Sequence, residues 1–138
     1  MVKSLYKASR EGVQIQMIIR SICCLIPNEL QMSENIEVIS IIDKFLEHTR
    51  FMIFCNNNSN NVYLSSADWM TRNLENRVEV TCPIIDEKIK KEILDIFNIY
   101  WNDNVKSRFV NHPQTNKYKR NTKPNFRSQD EVYNYYLN

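Results

Sequence analysis

The spacing of hydrophobic residues along the chain predicts an alternation of helices and strands. Helical spacing occurs at residues 3–10, 35–47 and 86–100, and a shorter final helix is predicted at residues 130–137. Apolar or alternating stretches predict strands at residues 13–19, 50–55, 62–64 and 77–82. The order α-β-α-β-β-β-α, followed by the short helix, predicts an α/β fold in which helices flank a mixed sheet.

Turn-forming residues support these boundaries. Gly12, the only glycine, suits the left-handed position that follows a helix end. Ser33 suits the N-cap of the second predicted helix. The asparagine-rich residues 56–61 predict a turn between two strands, because asparagine tolerates positive φ. Residues 23–32 and 68–76 are predicted to be irregular.

The composition is that of a globular protein rather than a disordered one. Hydrophobic residues make up 43% of the 138 positions and charged residues 25%. Polar residues interrupt every long apolar stretch, so no membrane span is predicted, and the N-terminus lacks a signal-peptide pattern. The four cysteines (Cys23, Cys24, Cys55 and Cys82) lack metal-binding spacing, so we expect buried free thiols in a reducing compartment. These features predict a cytoplasmic location.

Charge is distributed unevenly along the chain. The net charge is +2, yet residues 105–127, here called the basic strap, contain seven basic residues and no acidic one: Lys106, Arg108, Lys117, Lys119, Arg120, Lys123 and Arg127. We predict a domain core in residues 1–104, completed by the strap and a short helix in residues 105–138. The strap predicts a polyanionic partner. The abrupt start of the first helix predicts that the chain is one domain of a longer protein.

A histidine and two arginines are the main candidates for chemistry. His48 and Arg50 lie two positions apart at the start of a predicted strand, so their side chains should share a face. Arg20 directly follows a predicted buried strand, at the kind of strand end where ligands gather in α/β sheets. An imidazole and guanidinium groups suit a phosphoryl group. For His48 the alternative is a solvent-facing residue, and for Arg20 it is a surface salt bridge to Glu34 or Asp43.

Further polar candidates follow the third predicted strand. Ser66 is placed to bond the histidine or a phosphate, and Asp68 to orient a partner. The alternative is a strand-capping turn with Trp69 as a core anchor. Arg77 and Glu79 should share a sheet face. In the strap, Lys119 and Arg120 could contact a phosphate chain, whereas His112 is interpreted as a loop residue.

The pattern from His48 to Asp68 resembles the His-x-Lys…Gly-Ser-x-Asn core of the phospholipase D superfamily, with Arg50 and Asp68 in place of the lysine and asparagine. The whole chain resembles, in order, the C-terminal phospholipase D-like domain of bacterial polyphosphate kinase 1. The matching stretches are residues 8–13, 18–25, 33–36, 45–48, 63–73, 77–80 and 103–108.

That resemblance implies a specific activity, the reversible transfer of the terminal phosphoryl group of ATP to inorganic polyphosphate. It implies a phosphohistidine and Mg²⁺ ligands in a preceding phospholipase D-like domain, with no metal ligand in this chain. His48 would be the second active-site histidine and Arg20 an ATP-contacting arginine. Polyphosphate, ATP or ADP, the preceding domain and further copies of the full-length chain are the implied partners, and nucleic acid is not expected. Arg50, Ser66, Lys119 and Arg120 are possible phosphate contacts.

The chain departs from the family pattern at a few positions, and two other functions remain open. Residues 56–58 stand where the family has Asn-Gly-Gly, and Cys55 stands where it tends to have glutamate. The first alternative is a phospholipase D-type phosphodiesterase half, which would want lysine at 50 and asparagine at 68. The second is a non-catalytic polyanion-binding module built on the strap. We expect the isolated chain to be inactive, and Arg20 and His48 to meet in one pocket.

Overall fold

The computed structural model describes residues 1–137, which form two compact units. The first unit comprises residues 1–47 and the chain from Ile99 onward, and the second comprises residues 48–98. The chain passes from one unit to the other after residues 47 and 98, whereas the predicted boundary is at residue 104. That boundary stays a prediction.

The elements, numbered in chain order, alternate between helix and strand. They are α1 (Val2–Arg10), β1 (Ile15–Ile19), β2 (Ile36–Ile41), β3 (Phe51–Phe54), a 3₁₀ turn (Asn56–Asn58), β4 (Asn61–Ser65), α2 (Thr71–Asn76), β5 (Thr81–Ile84), α3 (Glu87–Trp101), β6 (Ser107–Phe109) and α4 (Ser128–Leu137). The mixed α/β class predicted from the pattern is confirmed, although its strands form two small sheets.

The first unit is built on the sheet β1-β2-β6. β1 and β2 run parallel with Met17 opposite Val38, and β6 pairs antiparallel with the other edge of β2. α1 packs its apolar side, including Leu5 and Tyr6, against a core formed by Leu25, Ile36 and Val38. Because β1 and β2 are parallel, their carboxyl ends lie at the same edge of the sheet.

The predicted helix at residues 35–47 is wrong, because its first part is the central strand β2. Ile36, Val38, Ile39 and Ile41 are all buried, so apolar residues are required on both faces of this strand. Their spacing therefore coincides with that of a helix, but β-branched side chains favour the strand. Ser33 is not a helix cap, since its hydroxyl donates to the carbonyl of Ile26 at 2.6 Å.

The second unit contains the antiparallel sheet β3-β4-β5 and the first part of α3. The turn between β3 and β4 has three consecutive asparagines with positive φ, as the sequence predicts (Asn56, Asn57 and Asn58). The rings of Phe51 and Phe97 pack edge to face, with centroids 6.3 Å apart. This contact holds α3 against the hairpin.

Two predictions after β4 are wrong. Residues 68–76 are not wholly irregular, because they include the short helix α2. The following strand starts later than predicted, at Thr81, so Arg77 and Glu79 precede it and do not share a sheet face. Pro83 lies within this strand, opposite Tyr63. Proline is tolerated there because β5 is an edge strand.

The cysteines are free thiols, as expected, but most are not buried. Cys23 is half-buried, and burial is the main reason that its pKa is raised. Cys24, Cys55 and Cys82 are exposed, which corrects the prediction of buried thiols. None of the helices within residues 1–137 has the length and apolar character that crossing a membrane requires.

Candidate functional site

Arg20 lies directly after β1, as predicted, and its side chain is half-buried. Its Nη1 atom donates a hydrogen bond to the backbone carbonyl of Glu47, at 2.8 Å. Asp43, a predicted salt-bridge partner, instead binds Arg127 through two hydrogen bonds of 2.6 and 2.7 Å. The guanidinium of Arg20 is therefore held at the sheet edge by the loop that follows β2.

The carboxylate of Glu47 accepts hydrogen bonds from two distant parts of the first unit, a role that the sequence did not indicate. One carboxylate oxygen accepts the hydroxyl of Tyr100 at 2.7 Å, and the other accepts Nε2 of Gln129 at 2.7 Å. Gln129 also bonds the backbone N–H and carbonyl of Phe45, at 3.0 and 2.8 Å. Burial and the bond to Glu47 raise the pKa of Tyr100. These contacts fix the backbone carbonyl that receives Arg20.

His48 and Arg50 contact each other in the second unit. Both precede β3, so they do not share a strand face, but Nη1 of Arg50 lies 3.1 Å from Nδ1 of His48 and 3.0 Å from the His48 carbonyl oxygen. The guanidinium also forms a two-point ion pair with Asp68, with Nε–Oδ1 2.8 Å and Nη2–Oδ2 3.2 Å. This ion pair raises the pKa of Arg50. His48 itself is exposed.

Ser66 belongs to a second polar cluster in the same unit. Its hydroxyl donates a short hydrogen bond to the Glu79 carboxylate and accepts the N–H of Val80 at 3.0 Å. The other Glu79 oxygen accepts Nδ2 of the buried Asn73 at 2.7 Å. The bonds from Ser66 and Asn73 lower the pKa of Glu79. Trp69 is 40% exposed, which corrects its interpretation as a core anchor.

The basic strap makes several contacts within the first unit. The Lys119 ammonium lies 4.5 Å from the centroid of the Trp101 ring and donates to the Trp101 carbonyl. Burial lowers the pKa of Lys119. The guanidinium carbons of Arg108 and Arg120 lie 3.9 and 4.9 Å from the centroid of the Tyr118 ring. A phosphate-binding role for Lys119 and Arg120 stays a prediction, as does that of Arg50 and Ser66.

The arrangement of Arg20 with His48 also stays a prediction. The two residues belong to different units, and each is placed by contacts within its own unit. Arg20 is held by Glu47, and His48 is held by Arg50. Each site thus presents a fixed cationic or hydrogen-bonding group, which suits an anionic ligand.

These sites do not fit a magnesium ion. Mg²⁺ prefers oxygen ligands such as carboxylates, whereas Arg20 and Arg50 carry guanidinium groups and His48 an imidazole. The nearby carboxylates are already bonded, Asp68 to Arg50 and Glu79 to Ser66 and Asn73. Among the residues that the structure describes, no group of three or more His, Cys, Asp or Glu side chains is placed to hold a metal ion. We therefore assign no metal-dependent step to these residues.

Comparisons with known proteins agree with the sequence resemblance. A family described as "Polyphosphate kinase C-terminal domain 2" matches residues 1–129. The chain is 47% identical to a polyphosphate kinase of Vibrio parahaemolyticus over 138 residues, which is 99% of this chain and 20% of that protein. It is 44% identical to the polyphosphate kinase of Escherichia coli K12 over 136 residues, covering 98% of this chain and 20% of that protein.

A solved structure shows the same fold. The crystal structure of the Porphyromonas gingivalis polyphosphate kinase superimposes with a TM-score of 0.95 at 42% identity, covering 99% of this chain and 21% of that one. The chain therefore spans about a fifth of the length of these relatives. Its fold is phospholipase D-like, as predicted. The match over residues 1–129 and the close structural agreement together show that the chain belongs to the polyphosphate kinase family.

Proposed function

We propose that this chain supplies part of the active site of an enzyme that transfers the terminal phosphoryl group of ATP, reversibly, to inorganic polyphosphate. The main support is Arg20, a guanidinium held at a strand end by the Glu47 carbonyl in a chain of this family. Phosphoryl transfer requires positioning and charge neutralisation more than covalent work by the protein. A fixed arginine meets that requirement, because its planar donors match phosphate oxygens in pairs.

In this proposal, Arg20 binds the nucleotide phosphates and stabilises the charge that develops on the transferred group. His48 either holds the phosphoryl group in line with the nucleophile or acts as a general acid. The phosphohistidine, the Mg²⁺ ligands and the residue that contacts the adenine base of ATP lie in the preceding phospholipase D-like domain. The full-length protein would be a cytoplasmic homo-oligomer that binds ATP, ADP and polyphosphate.

A chimaera tests this assignment directly. Residues 1–138 would replace the matching segment of the E. coli polyphosphate kinase, to which they are 44% identical. We expect the chimaera to synthesise polyphosphate from ATP, and Arg20→Ala or His48→Ala to lower its kcat by about 100-fold or more, as loss of one electrostatic donor does elsewhere. The isolated chain should not catalyse the transfer.

Matched controls are available in the same chain. Arg10→Ala removes an exposed arginine of α1, and His112→Ala removes the only other histidine of residues 1–138. Both control chimaeras should retain near-normal synthesis. Near-normal turnover after Arg20→Ala and His48→Ala would contradict the site assignment. A folded chimaera without synthesis would contradict the proposed function.

Neither rival function has comparable support. A phosphodiesterase of the phospholipase D type would want lysine at position 50, where Arg50 is instead paired with Asp68. A polyanion-binding module would use the strap, where Lys119 packs on Trp101 and Arg127 bonds Asp43. Hydrolysis of a simple phosphodiester by the chain, or tight salt-sensitive binding of polyphosphate that His48→Ala leaves unchanged, would favour these alternatives.

A further inference from the structure

The contact between Arg50 and His48 determines which ring nitrogen of the histidine carries a hydrogen. A guanidinium has N–H donors and no acceptor, and it keeps its charge in proteins. Because Nη1 of Arg50 lies 3.1 Å from Nδ1 of His48, that nitrogen must accept with its lone pair. In a neutral imidazole the hydrogen is then on Nε2.

Several contacts hold Arg50 in this orientation. Asp68 accepts hydrogen bonds from Nε and Nη2 of Arg50, at 2.8 and 3.2 Å. The side chain of Arg50 is only 19% exposed and that of Asp68 28%. Nη1 has two hydrogens, and these are shared between Nδ1 and the carbonyl oxygen of His48. Nη1 of Arg50 thus bonds both the ring and the backbone of His48. Movement of a hydrogen to Nδ1 would place two donors opposite each other.

We infer that Arg50, oriented by Asp68, is a positioning residue that selects the Nε2–H tautomer of the His48 ring, so that His48 presents a hydrogen-bond donor to the transferred phosphoryl group. The ring cannot act as a nucleophile in this state, because Nε2 has no lone pair to offer and the lone pair of Nδ1 is bound to Arg50. Nor is it a general acid, because loss of the Nε2 hydrogen from a neutral ring would leave an imidazolate anion.

This inference selects one of the two roles proposed for His48. It rests on the proposed function for the identity of the ligand, but the tautomer itself does not. The role is to orient the phosphoryl group through a hydrogen bond from Nε2. It also separates this site from the phosphodiesterase alternative, in which the histidine would be the nucleophile.

The tautomer can be measured on the 138-residue chain with ¹⁵N-labelled histidine. Long-range ¹H–¹⁵N spectra would be recorded at about pH 8, where an ordinary imidazole is neutral. We expect His48 to show the two well-separated nitrogen shifts of a bare Nδ1 and a protonated Nε2. The exposed loop residue His112 is an internal reference, which should show the intermediate shifts of interconverting tautomers.

Variants test whether Arg50 is the cause. Arg50→Met should bring the two His48 shifts closer together, toward those of His112, whereas Arg72→Met, which removes an exposed arginine of α2, should leave them unchanged. Asp68→Asn should reduce the separation of the two His48 shifts by a smaller amount. It is the variant to measure if Arg50→Met does not fold. A protonated Nδ1 or averaged shifts in the unmodified chain, or shifts unchanged by both Arg50→Met and Asp68→Asn, would overturn the inference.

A chemical probe tests the missing lone pair. Phosphoramidate transfers its phosphoryl group to accessible histidine nitrogens, with cleavage of its P–N bond and release of ammonia. We expect labelling of His48 to be at least about tenfold slower than that of His112, and faster in Arg50→Met. Equal labelling of the two histidines in the unmodified chain would contradict the inference. Neither measurement needs ATP or polyphosphate, so failure here is distinct from failure of the chimaera.

Discussion

Asp103 connects the end of α3 to the start of α4, and its replacement by asparagine should strongly destabilise the first unit. The carboxylate is completely buried. Oδ1 accepts the N–H groups of Val105, Lys106 and Ser107, at 2.9, 2.6 and 3.0 Å. Oδ2 accepts both the N–H and the hydroxyl of Ser128, at 2.8 Å each. One side chain thus satisfies donors at the start of the strap and on Ser128, the residue that follows the strap.

The size of the effect follows from these bonds. Asp103→Asn retains one oxygen, but the amide that replaces the other can only donate. The N–H of Ser128 then loses a charge-assisted bond worth about 1.5–3 kcal/mol and becomes an unsatisfied buried donor at a cost of about 1–3 kcal/mol. The Ser128 hydroxyl can rotate to accept instead. We expect the free energy of unfolding to fall by about 4 kcal/mol, out of roughly 5–15 kcal/mol for a typical domain.

The same carboxylate predicts a pH dependence. Burial alone would raise the pKa of Asp103, but the hydrogen bonds from Ser128, Lys106 and Ser107 outweigh burial and lower it from its usual 3.8. A carboxyl group whose pKa is lower in the folded state contributes stability above its unfolded pKa, and this contribution is lost as the pH falls through the folded value. The difference in stability between the unmodified protein and the Asp103→Asn variant should be complete at pH 7 and shrink below about pH 4.

Urea unfolding followed by Trp101 fluorescence would measure this difference, in a Trp69→Phe background so that the signal reports on the first unit. Asp130→Asn is the matched control, because Asp130 is 64% exposed and its ion pair with Arg127 is a surface contact of 3.6 Å. The control should cost less than about 1 kcal/mol. A cost below about 1 kcal/mol for Asp103→Asn at pH 7, or a difference that grows on acidification, would refute the reasoning.

Two further predictions concern neighbouring contacts. Tyr100→Phe removes the 2.7 Å bond to Glu47 and should lower the unfolding free energy by about 1.5–3 kcal/mol; an unchanged urea midpoint would contradict this. Lys119→Met removes the cation over the Trp101 ring and the hydrogen bond to the Trp101 carbonyl, but it also removes the cost of burying an ammonium group. Because these effects oppose each other, stability at pH 8 should change by less than about 1 kcal/mol. The pKa of Lys119 is lower in the folded protein than in the unfolded chain, so the unmodified protein should gain stability relative to Lys119→Met as the pH rises toward about 10.5. Equal dependence of stability on pH in the two proteins would contradict this.

Local patterns were sufficient for most helices of this chain and for the hairpin of β3 and β4. The amphipathic spacing in α1 and α3 and the asparagine turn between β3 and β4 predicted those elements because each signal lies within a few residues. β2 was misassigned because a strand buried on both faces has no alternation to distinguish it from a helix. β6 was missed within the strap, since a three-residue strand carries almost no periodic signal.

The candidate residues could be selected from the sequence, but their partners could not. Arg20 and His48 were indicated by their positions beside predicted strands and by the family resemblance. Glu47 and Gln129, which are 82 residues apart, meet only through folding, and no local pattern indicates the contact. The sequence alone determined the family, the local elements and the types of group available for phosphate chemistry. Only the tertiary structure decided that Arg50 is shared between Asp68 and His48, because a tautomer depends on which atom lies at hydrogen-bonding distance.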